Sequence, residues 1–300
     1  MLNQAKNNVK IEGILSEVDI KEGSSKTENK PYIMGEIKIR VSQEINGVDK
    51  DIEIPVNLFA TKNKKAGGIN PAYEAIKKIQ TEYTSIAACG NEEQASRVRI
   101  DRGELSENAF WGNDGRLVSI PRIRTSFMTR IKPDECNSKA TFENTIVIGK
   151  IQDEIKNDEP TGRLIVKGIL VQYGERVDVI DYIVASEEAI NHIRTYWNEG
   201  DTVTVAGKIN FSSKIIREEK QVGFGEPIVE EKTISVKELI ILSGSASALE
   251  GDMAYDADEI GKALKDRMSR LEESKNKKTN TPAPTPAAPA APASTPTFGF

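Results

Sequence analysis

Apolar and polar residues alternate along much of the first 60 residues of the chain. The alternation covers residues 9–19, 32–43 and 51–60. Because successive side chains of a strand point to opposite faces, this pattern predicts three strands that each have one buried face. The polar stretch 20–31 contains Gly23-Ser24-Ser25, which predicts a loop between the first two strands.

The next segment has the spacing of a helix. Asn70 and Pro71 suit the N-cap and the first helical position, and apolar residues recur at helical spacing from Ile76 to Ile86, before Gly90. Two further strands are predicted, at residues 96–103 and around 116–131, with a hairpin turn at 113–115. Three strands, one helix and two strands is the element order of an OB-fold barrel.

The same order repeats in the second half of the chain. The pattern predicts strands at residues 144–152, 162–172, 176–185, 201–209 and 232–242, with a helix at 187–198. IEIPVNLFA at 52–60 aligns without gaps with VDVIDYIVA at 177–185, and Gly103 corresponds to Gly207, where we expect a bulge or a tight corner. We therefore predict a mainly β protein with two tandem OB-fold barrels, each of five strands plus one helix.

The composition changes after the second barrel. We predict a first OB-fold domain at 1–138, a second at 139–245, an acidic linker and short amphipathic helix at 246–273, and a disordered Pro/Ala-rich tail at 274–300. The tail ends in two aromatic residues, Phe298 and Phe300, which we interpret as a partner-binding motif.

The overall charge limits what the protein can bind. The 300 residues have a formal net charge of −5, so nucleic-acid binding would require a local basic groove. Two cysteines and one histidine predict neither a metal site nor a disulfide framework. The first ten residues lack an apolar core, and no segment approaches the length of a membrane span, so we expect a cytoplasmic protein without membrane contact.

A local basic region lies within residues 97–132. This range contains eight Lys and Arg residues and four Asp and Glu residues, which is an excess of four positive charges. Arginine and aromatic side chains together suit a groove for single-stranded nucleic acid, because guanidinium groups bind phosphate and rings stack on bases. The candidate binding residues of this region are Arg97, Arg99, Arg102, Phe110, Trp111, Arg116, Arg122, Arg124 and Phe127. The alternative is a solvated strand face with Trp111 packed into a loop cluster.

Further candidates lie outside that region. Lys38, Arg40, Lys62 and Lys64 belong to the first half, and Lys167, Lys208 and Phe211 belong to the second. In the second half a structural role is the stronger alternative, because Tyr182 lies in an acid-rich strand and Trp197 falls on the apolar helix face. Phosphate-loop, nucleophile-elbow and HExxH motifs are absent from the sequence, which favours a protein that is not an enzyme and needs no cofactor.

Two segments carry a family resemblance. NEGDTVTVAGKINF at 198–211 and SRVRIDRGELSENAFWGNDGRLVS at 96–119 resemble segments of bacterial and phage single-stranded DNA-binding proteins, in a tandem-domain form that looks phage-like. The resemblance implies a protein that coats single-stranded DNA with little sequence preference during DNA replication, recombination and repair. It also implies that the tail recruits replication or recombination proteins, and that a phage-encoded copy acts in the host bacterial cytoplasm.

A second interpretation belongs to another class of protein. A structural or assembly protein, such as a virion or scaffold component, would use OB barrels for protein contacts. In that case residues 256–272 would form a homo-oligomerisation helix.

Overall fold

The computed structural model describes residues 2–25, 29–220 and 228–279, in which the chain forms eleven strands and four α-helices. The strands are β1 (Asn7–Ser24), β2 (Pro31–Ile45), β3 (Val48–Thr61), β4 (Arg97–Trp111), β5 (Leu117–Thr125), β6 (Thr129–Ile131), β7 (Lys139–Lys156), β8 (Glu159–Val171), β9 (Val177–Val184), β10 (Thr202–Lys220) and β11 (Ile228–Gly244). The helices are α1 (Pro71–Glu82), α2 (Ile86–Cys89), α3 (Glu187–Tyr196) and α4 (Ala257–Thr279).

Strands β1 to β5 close into the first barrel. β1 pairs antiparallel with β2 and β4, β2 pairs with β3, β5 pairs with β4, and β3 runs parallel to β5. The ring order is therefore β1-β2-β3-β5-β4, with α1 between β3 and β4 in the chain. This closed five-stranded arrangement is the predicted OB-fold.

Strands β7 to β11 repeat the arrangement in the second barrel. β7 pairs antiparallel with β8 and β10, β8 pairs with β9, β10 pairs with β11, and β9 runs parallel to β11. Helix α3 lies between the third and fourth strands of this barrel, as α1 does in the first. The predicted tandem architecture is confirmed, whereas the domain boundary at residues 138/139 stays a prediction.

The two barrels are joined through their first strands. β1 pairs antiparallel with β7, from Asn7 opposite Asn144 to Glu12 opposite Lys139, so one eleven-stranded sheet runs through both barrels. The buried Gln43 side chain adds a second link, since its Nε2 donates to the Ile209 carbonyl at 2.8 Å and its Oε1 accepts from the Ala140 amide at 2.9 Å.

The helices begin where the sequence indicates. Asn70 caps α1 through its side chain, which accepts from the Ala72 amide at 3.1 Å. Helix α1 ends at Glu82, however, and the shorter α2 follows with Gly90 at φ 70° as its left-handed cap. The single helix predicted to reach Ile86 is therefore two helices, because Ser85 caps a new start.

Several strands are longer than predicted. β1 and β2 extend into the expected loop 20–31, and β4 is continuous from Arg97 to Trp111, past the predicted strand end at residue 103. The turn at 113–115 is confirmed, with Gly115 at φ 75°. At Gly207 the pairing of β10 with β11 shifts register, and an added Cβ would lie 1.8 Å from the Ile240 carbonyl oxygen. The predicted bulge is therefore present.

Helix α4 packs on its own chain. Ile260 and Ala263 are 4% and 5% exposed, and Leu264 packs against the same core, so the first turns of the helix are covered by the protein itself. Met268, farther along the helix, is 36% exposed, and homo-oligomerisation through residues 256–272 stays a prediction. The helix runs to Thr279, past the predicted boundary at residue 273. Phe298 and Phe300 lie outside the described residues. None of the described helices is long and apolar enough to cross a membrane.

Candidate nucleic-acid interface

The outer face of β2 and β3 exposes large apolar side chains. Ile33, Ile37 and Val56 point into the barrel and are fully buried. Because side chains alternate along a strand, the residues next to each of them point outward. Met34 lies directly opposite Phe59 in the antiparallel pair, and the two are 47% and 58% exposed. This face is the surface that OB-folds use for oligonucleotides and oligosaccharides.

A groove of about 860 Å³ runs from this face across β5 to β4. We call it the first-barrel groove; its principal lining residues are Met34, Glu36, Asn57, Phe59, Arg102, Glu104, Arg122, Arg124 and Phe127. Phe127 is 58% exposed in the turn after β5, where the Thr125 hydroxyl donates to the Phe127 carbonyl at 3.0 Å and holds the turn. The Tyr32 ring lies 5.9 Å from that of Phe59. The groove therefore presents aromatic side chains on both sides.

Three predicted arginines meet in the first-barrel groove. Arg122 and Arg124 lie two residues apart on β5 and so share the strand face that lines the groove. Arg102 lies at a bulge in β4, opposite the segment from Val9 to Ile11, and the bulge turns its side chain toward the groove. None of the three makes an ion pair within the described part of the chain. Their guanidinium groups are available to an anionic ligand.

Acidic side chains also line the first-barrel groove, so its formal charge is balanced. Asp19 and Glu36 lie on β1 and β2, and Glu104 lies opposite Arg124 on β4. Asp19 pairs with Lys21 at 3.1 Å. The positive and negative charges are equal in number but unevenly distributed across the groove. The arginines lie on the β4–β5 side, and two of the three acids lie on the β1–β2 side.

Lys38 and Arg40 share the outer face of β2 but hold local partners. Lys38 forms an ion pair with Glu17 at 2.5 Å, and that hydrogen bond raises the Lys38 pKa. Arg40 pairs with Glu92 and lies 3.4 Å from Glu53. A ligand would have to displace these carboxylates to reach either cation.

Three other predicted cations of the first barrel are on loops. Lys62 and Lys64 are exposed just beyond β3, at the end of the strand nearest Tyr32. Arg116 is exposed in the β4–β5 turn, 3.8 Å from Asp114. All three lie outside the first-barrel groove.

Arg97 and Arg99 have structural contacts instead of a place in the groove. Arg99 makes two hydrogen bonds to Glu12, at 3.0 and 3.1 Å, and they hold the pKa of that buried carboxyl below its usual range. Arg97 donates to the Ala95 carbonyl at 3.0 Å. The two arginines share a strand face, as their spacing predicts, but that part of β4 pairs with β1 and β6, and Arg102 is separated from them by the bulge.

Helix α4 covers Trp111. The indole Nε1 donates to the Leu271 carbonyl at 3.0 Å, and the Lys275 Nζ lies 4.4 Å from the ring centroid. Phe110 beside it is half-buried. Trp111 is therefore half-buried beneath a helix that lies 160 residues later in the chain, and its binding of nucleic acid stays a prediction.

The candidates in the second barrel are also engaged. Phe211 is 3% exposed and belongs to the core, so the prediction that its ring contacts nucleic acid is wrong here. Lys208 donates to the Glu44 carbonyl of the first barrel at 2.6 Å, and Lys167 pairs with Asp181 at 2.7 Å. The structural alternative holds for Tyr182 and Trp197, which are both buried.

Contacts with the first barrel cover part of the corresponding face of the second. The Glu107 amide donates to Asp178 Oδ2 at 3.0 Å, and the Val179 amide returns a 3.0 Å bond to Glu107 Oε2. Ser119 donates to the Val179 carbonyl at 3.1 Å. Arg267 of α4 completes the contact through an ion pair with Glu107.

The sequence interpretation missed Tyr32, Met34 and Phe59. The signal for Phe59 was present, because Ile52, Ile54, Val56, Leu58 and Ala60 alternate and place Phe59 on the outer face. In the described ranges no cluster of His, Cys, Asp and Glu side chains could hold a metal ion.

The fold and the site define a tandem OB-fold protein with an arginine and aromatic groove on its first barrel. The chain belongs to the YorF family, whose model matches residues 6–277. No curated protein sequence matches the chain. Among solved structures it is similar to the wild-type single-stranded DNA-binding protein of Thermus aquaticus (11% identity, TM-score 0.45, covering 85% of this chain and 99% of the other). A deletion and point mutant of that protein is similar at 12% identity and a TM-score of 0.46, covering 85% and 98%.

Proposed function

We propose that this protein binds single-stranded DNA in the first-barrel groove without reading its sequence. The observation that carries the proposal is the meeting of exposed Phe59 and Phe127 with three arginines that lack ion pairs within the described ranges, on the strand face that OB-folds use for ligands. Ring faces stack on any base, and guanidinium groups bind phosphate, so this combination tolerates any sequence. A neutral oligosaccharide would not need the three arginines.

The biological role that we propose is the coating of exposed strands during DNA replication or recombination. Stacking without base-edge hydrogen bonds suits strands of arbitrary sequence. We expect no catalytic step, since the groove needs only to hold its ligand. Recruitment of replication or recombination proteins by Phe298 and Phe300 remains part of the proposal.

Fluorescence anisotropy with labelled oligo(dT) tests the proposal at two salt concentrations. Phe59→Ala should weaken binding by about 1–3 kcal/mol, roughly 5- to 150-fold, because one stacking platform is removed. Tyr196→Ala is the matched control, since Tyr196 is an exposed aromatic residue on α3 of the other barrel. Arg122→Ala should lower the salt slope by about 0.7, the value expected for one phosphate of a single strand.

The proposal fails if the wild-type protein does not bind oligo(dT) at low salt. It also fails if Phe59→Ala and Tyr196→Ala bind as the wild type does, because the groove would then not be the site. Duplex DNA, RNA and a neutral oligosaccharide measured beside oligo(dT) define the ligand class.

A further inference from the structure

A second cleft, of about 630 Å³, lies between the two barrels. We call it the inter-barrel cleft. It is bounded by β4 and β5 of the first barrel, by the turn between β8 and β9 of the second, and by α4. The side chains that matter for its chemistry are Arg124, Tyr173, Arg176, Asp178, Arg267 and Arg270.

The buried acids of the inter-barrel cleft are occupied by the protein's own donors. Glu107 accepts from Arg267 Nε at 2.9 Å and from the Val179 amide. Asp178 Oδ2 accepts from the Gln172 side chain at 2.8 Å and from the Glu107 amide, and burial raises the pKa of its carboxyl. Arg267 therefore compensates the charge of Glu107, whereas the hydrogen-bond donors to Asp178 are uncharged.

Three arginines of the cleft remain available. Arg124, Arg176 and Arg270 make no ion pair with any residue in the described ranges, and Glu104 is the remaining lining acid. Arg176 and Arg270 are exposed and come from different elements, the β8–β9 turn and α4. An anionic ligand between them would meet positive charge from both sides.

The β8–β9 turn also presents an aromatic ring. Tyr173 is 79% exposed, and the turn is closed by a 2.7 Å hydrogen bond from the Gln172 amide to the Arg176 carbonyl. Gly174 and Glu175 both adopt positive φ, at 74° and 58°, which makes the turn tight. Tyr173 and Arg176 are therefore presented together at one end of the cleft.

The cleft and the first-barrel groove share two residues. Arg124 and Glu104 line both of them. We propose that the inter-barrel cleft is the second segment of one continuous path for single-stranded polynucleotide, with phosphates at Arg176 and Arg270 and a base on Tyr173. This inference rests on the proposed function of the first-barrel groove and extends it across the barrel junction.

The test compares the binding of two oligo(dT) lengths by the wild type and by two variants of the inter-barrel cleft. Because one OB-fold accommodates about 4–16 nucleotides, an oligonucleotide of about 6 fits the groove alone, and one of about 20 reaches the cleft. A variant that combines Tyr173→Ala, Arg176→Ala and Arg270→Ala should bind the short one as the wild type does. Its Kd for the long one should rise about tenfold or more, and its salt slope should fall by about 1.4, because two phosphates are no longer neutralised.

Tyr196→Ala combined with Lys265→Ala is the control, because these residues are exposed and lie outside both cavities. Single Arg270→Glu keeps the turn intact and should also weaken only the long oligonucleotide. The continuous path is overturned if both cleft variants bind both lengths as the wild type does, or if both lengths lose affinity equally. Absence of wild-type binding to either length overturns the groove proposal and this one together.

Discussion

The two barrels share one strand order but differ in what covers their third and second strands. In the first barrel, Met34 and Phe59 face solvent beside arginines without ion pairs in the described ranges. In the second, Lys167 is paired with Asp181 on the corresponding face, and Ile183 is 7% exposed. Repetition of the fold has therefore not repeated the site, since function depends on the side chains that a fold presents.

The second barrel instead supports the first. Its β9 exchanges hydrogen bonds with Glu107 and Ser119 of the β4–β5 hairpin, and the chain then returns as α4 over Trp111. The hairpin is thus held from two directions. A rigid hairpin keeps the β4–β5 arginines in place beside the β2–β3 face, which reduces the ordering cost of binding.

The largest expected effect comes from removing Arg267. Its ion pair with Glu107 is nearly buried, with side chains 11% and 2% exposed. Arg267→Ala should weaken the docking of α4 by about 3–5 kcal/mol, because an uncompensated carboxylate remains buried. Iodide quenching reports this as increased exposure of Trp111, whereas Trp197, at 4% exposure, serves as the internal reference. Unchanged quenching would show that α4 is held mainly by its apolar stripe.

Local sequence pattern predicted the barrels but not their contacts. The alternation in 32–43 and 51–60, the Asn70-Pro71 helix start and the Gly207 bulge all depend on near neighbours, and all are present. Trp111 with Leu271 and Arg99 with Glu12 are separated by 160 and 87 residues. Side-chain periodicity does not indicate which distant segment packs against a given face of a strand. The sequence pattern therefore could not predict these two contacts.

A smaller effect should distinguish the barrels by pH. Arg163 hydrogen bonds lower the pKa of Glu154 in the second barrel to about 2 from its ordinary 4.5, and Arg99 lowers that of Glu12 in the first. Because the folded-state pKa is the lower one, this stabilisation is complete above pH 4.5 and is lost as the pH falls toward 2. For Glu154 the loss is on the order of 3 kcal/mol.

Urea unfolding from neutral to acidic pH measures this difference. Glu154→Gln should flatten the pH dependence of the free energy of unfolding more than Glu12→Gln does. The Glu154 pair also involves Glu238, 2.9 Å from Arg163, and is more enclosed than the pair of Arg99, whose side chain is 36% exposed. A larger flattening by Glu12→Gln would reverse the assignment of the acid-sensitive pair to the second barrel.

The smallest difference concerns corresponding glycines on the fourth strands. An added Cβ at Gly207 would lie 1.8 Å from the Ile240 carbonyl oxygen, whereas at Gly103 the nearest atoms are the Cβ and carbonyl oxygen of Val9, at 3.1 and 3.2 Å. Gly207→Ala must therefore shift backbone, while Gly103→Ala needs only a few tenths of an ångström. Gly207→Ala should lower the free energy of unfolding in urea by about 1–3 kcal/mol more than Gly103→Ala does. An equal decrease in the free energy of unfolding for both variants would mean that the backbone at Gly207 shifts at little cost. The close approach of the strands would then require a glycine no more strictly in the second barrel than in the first.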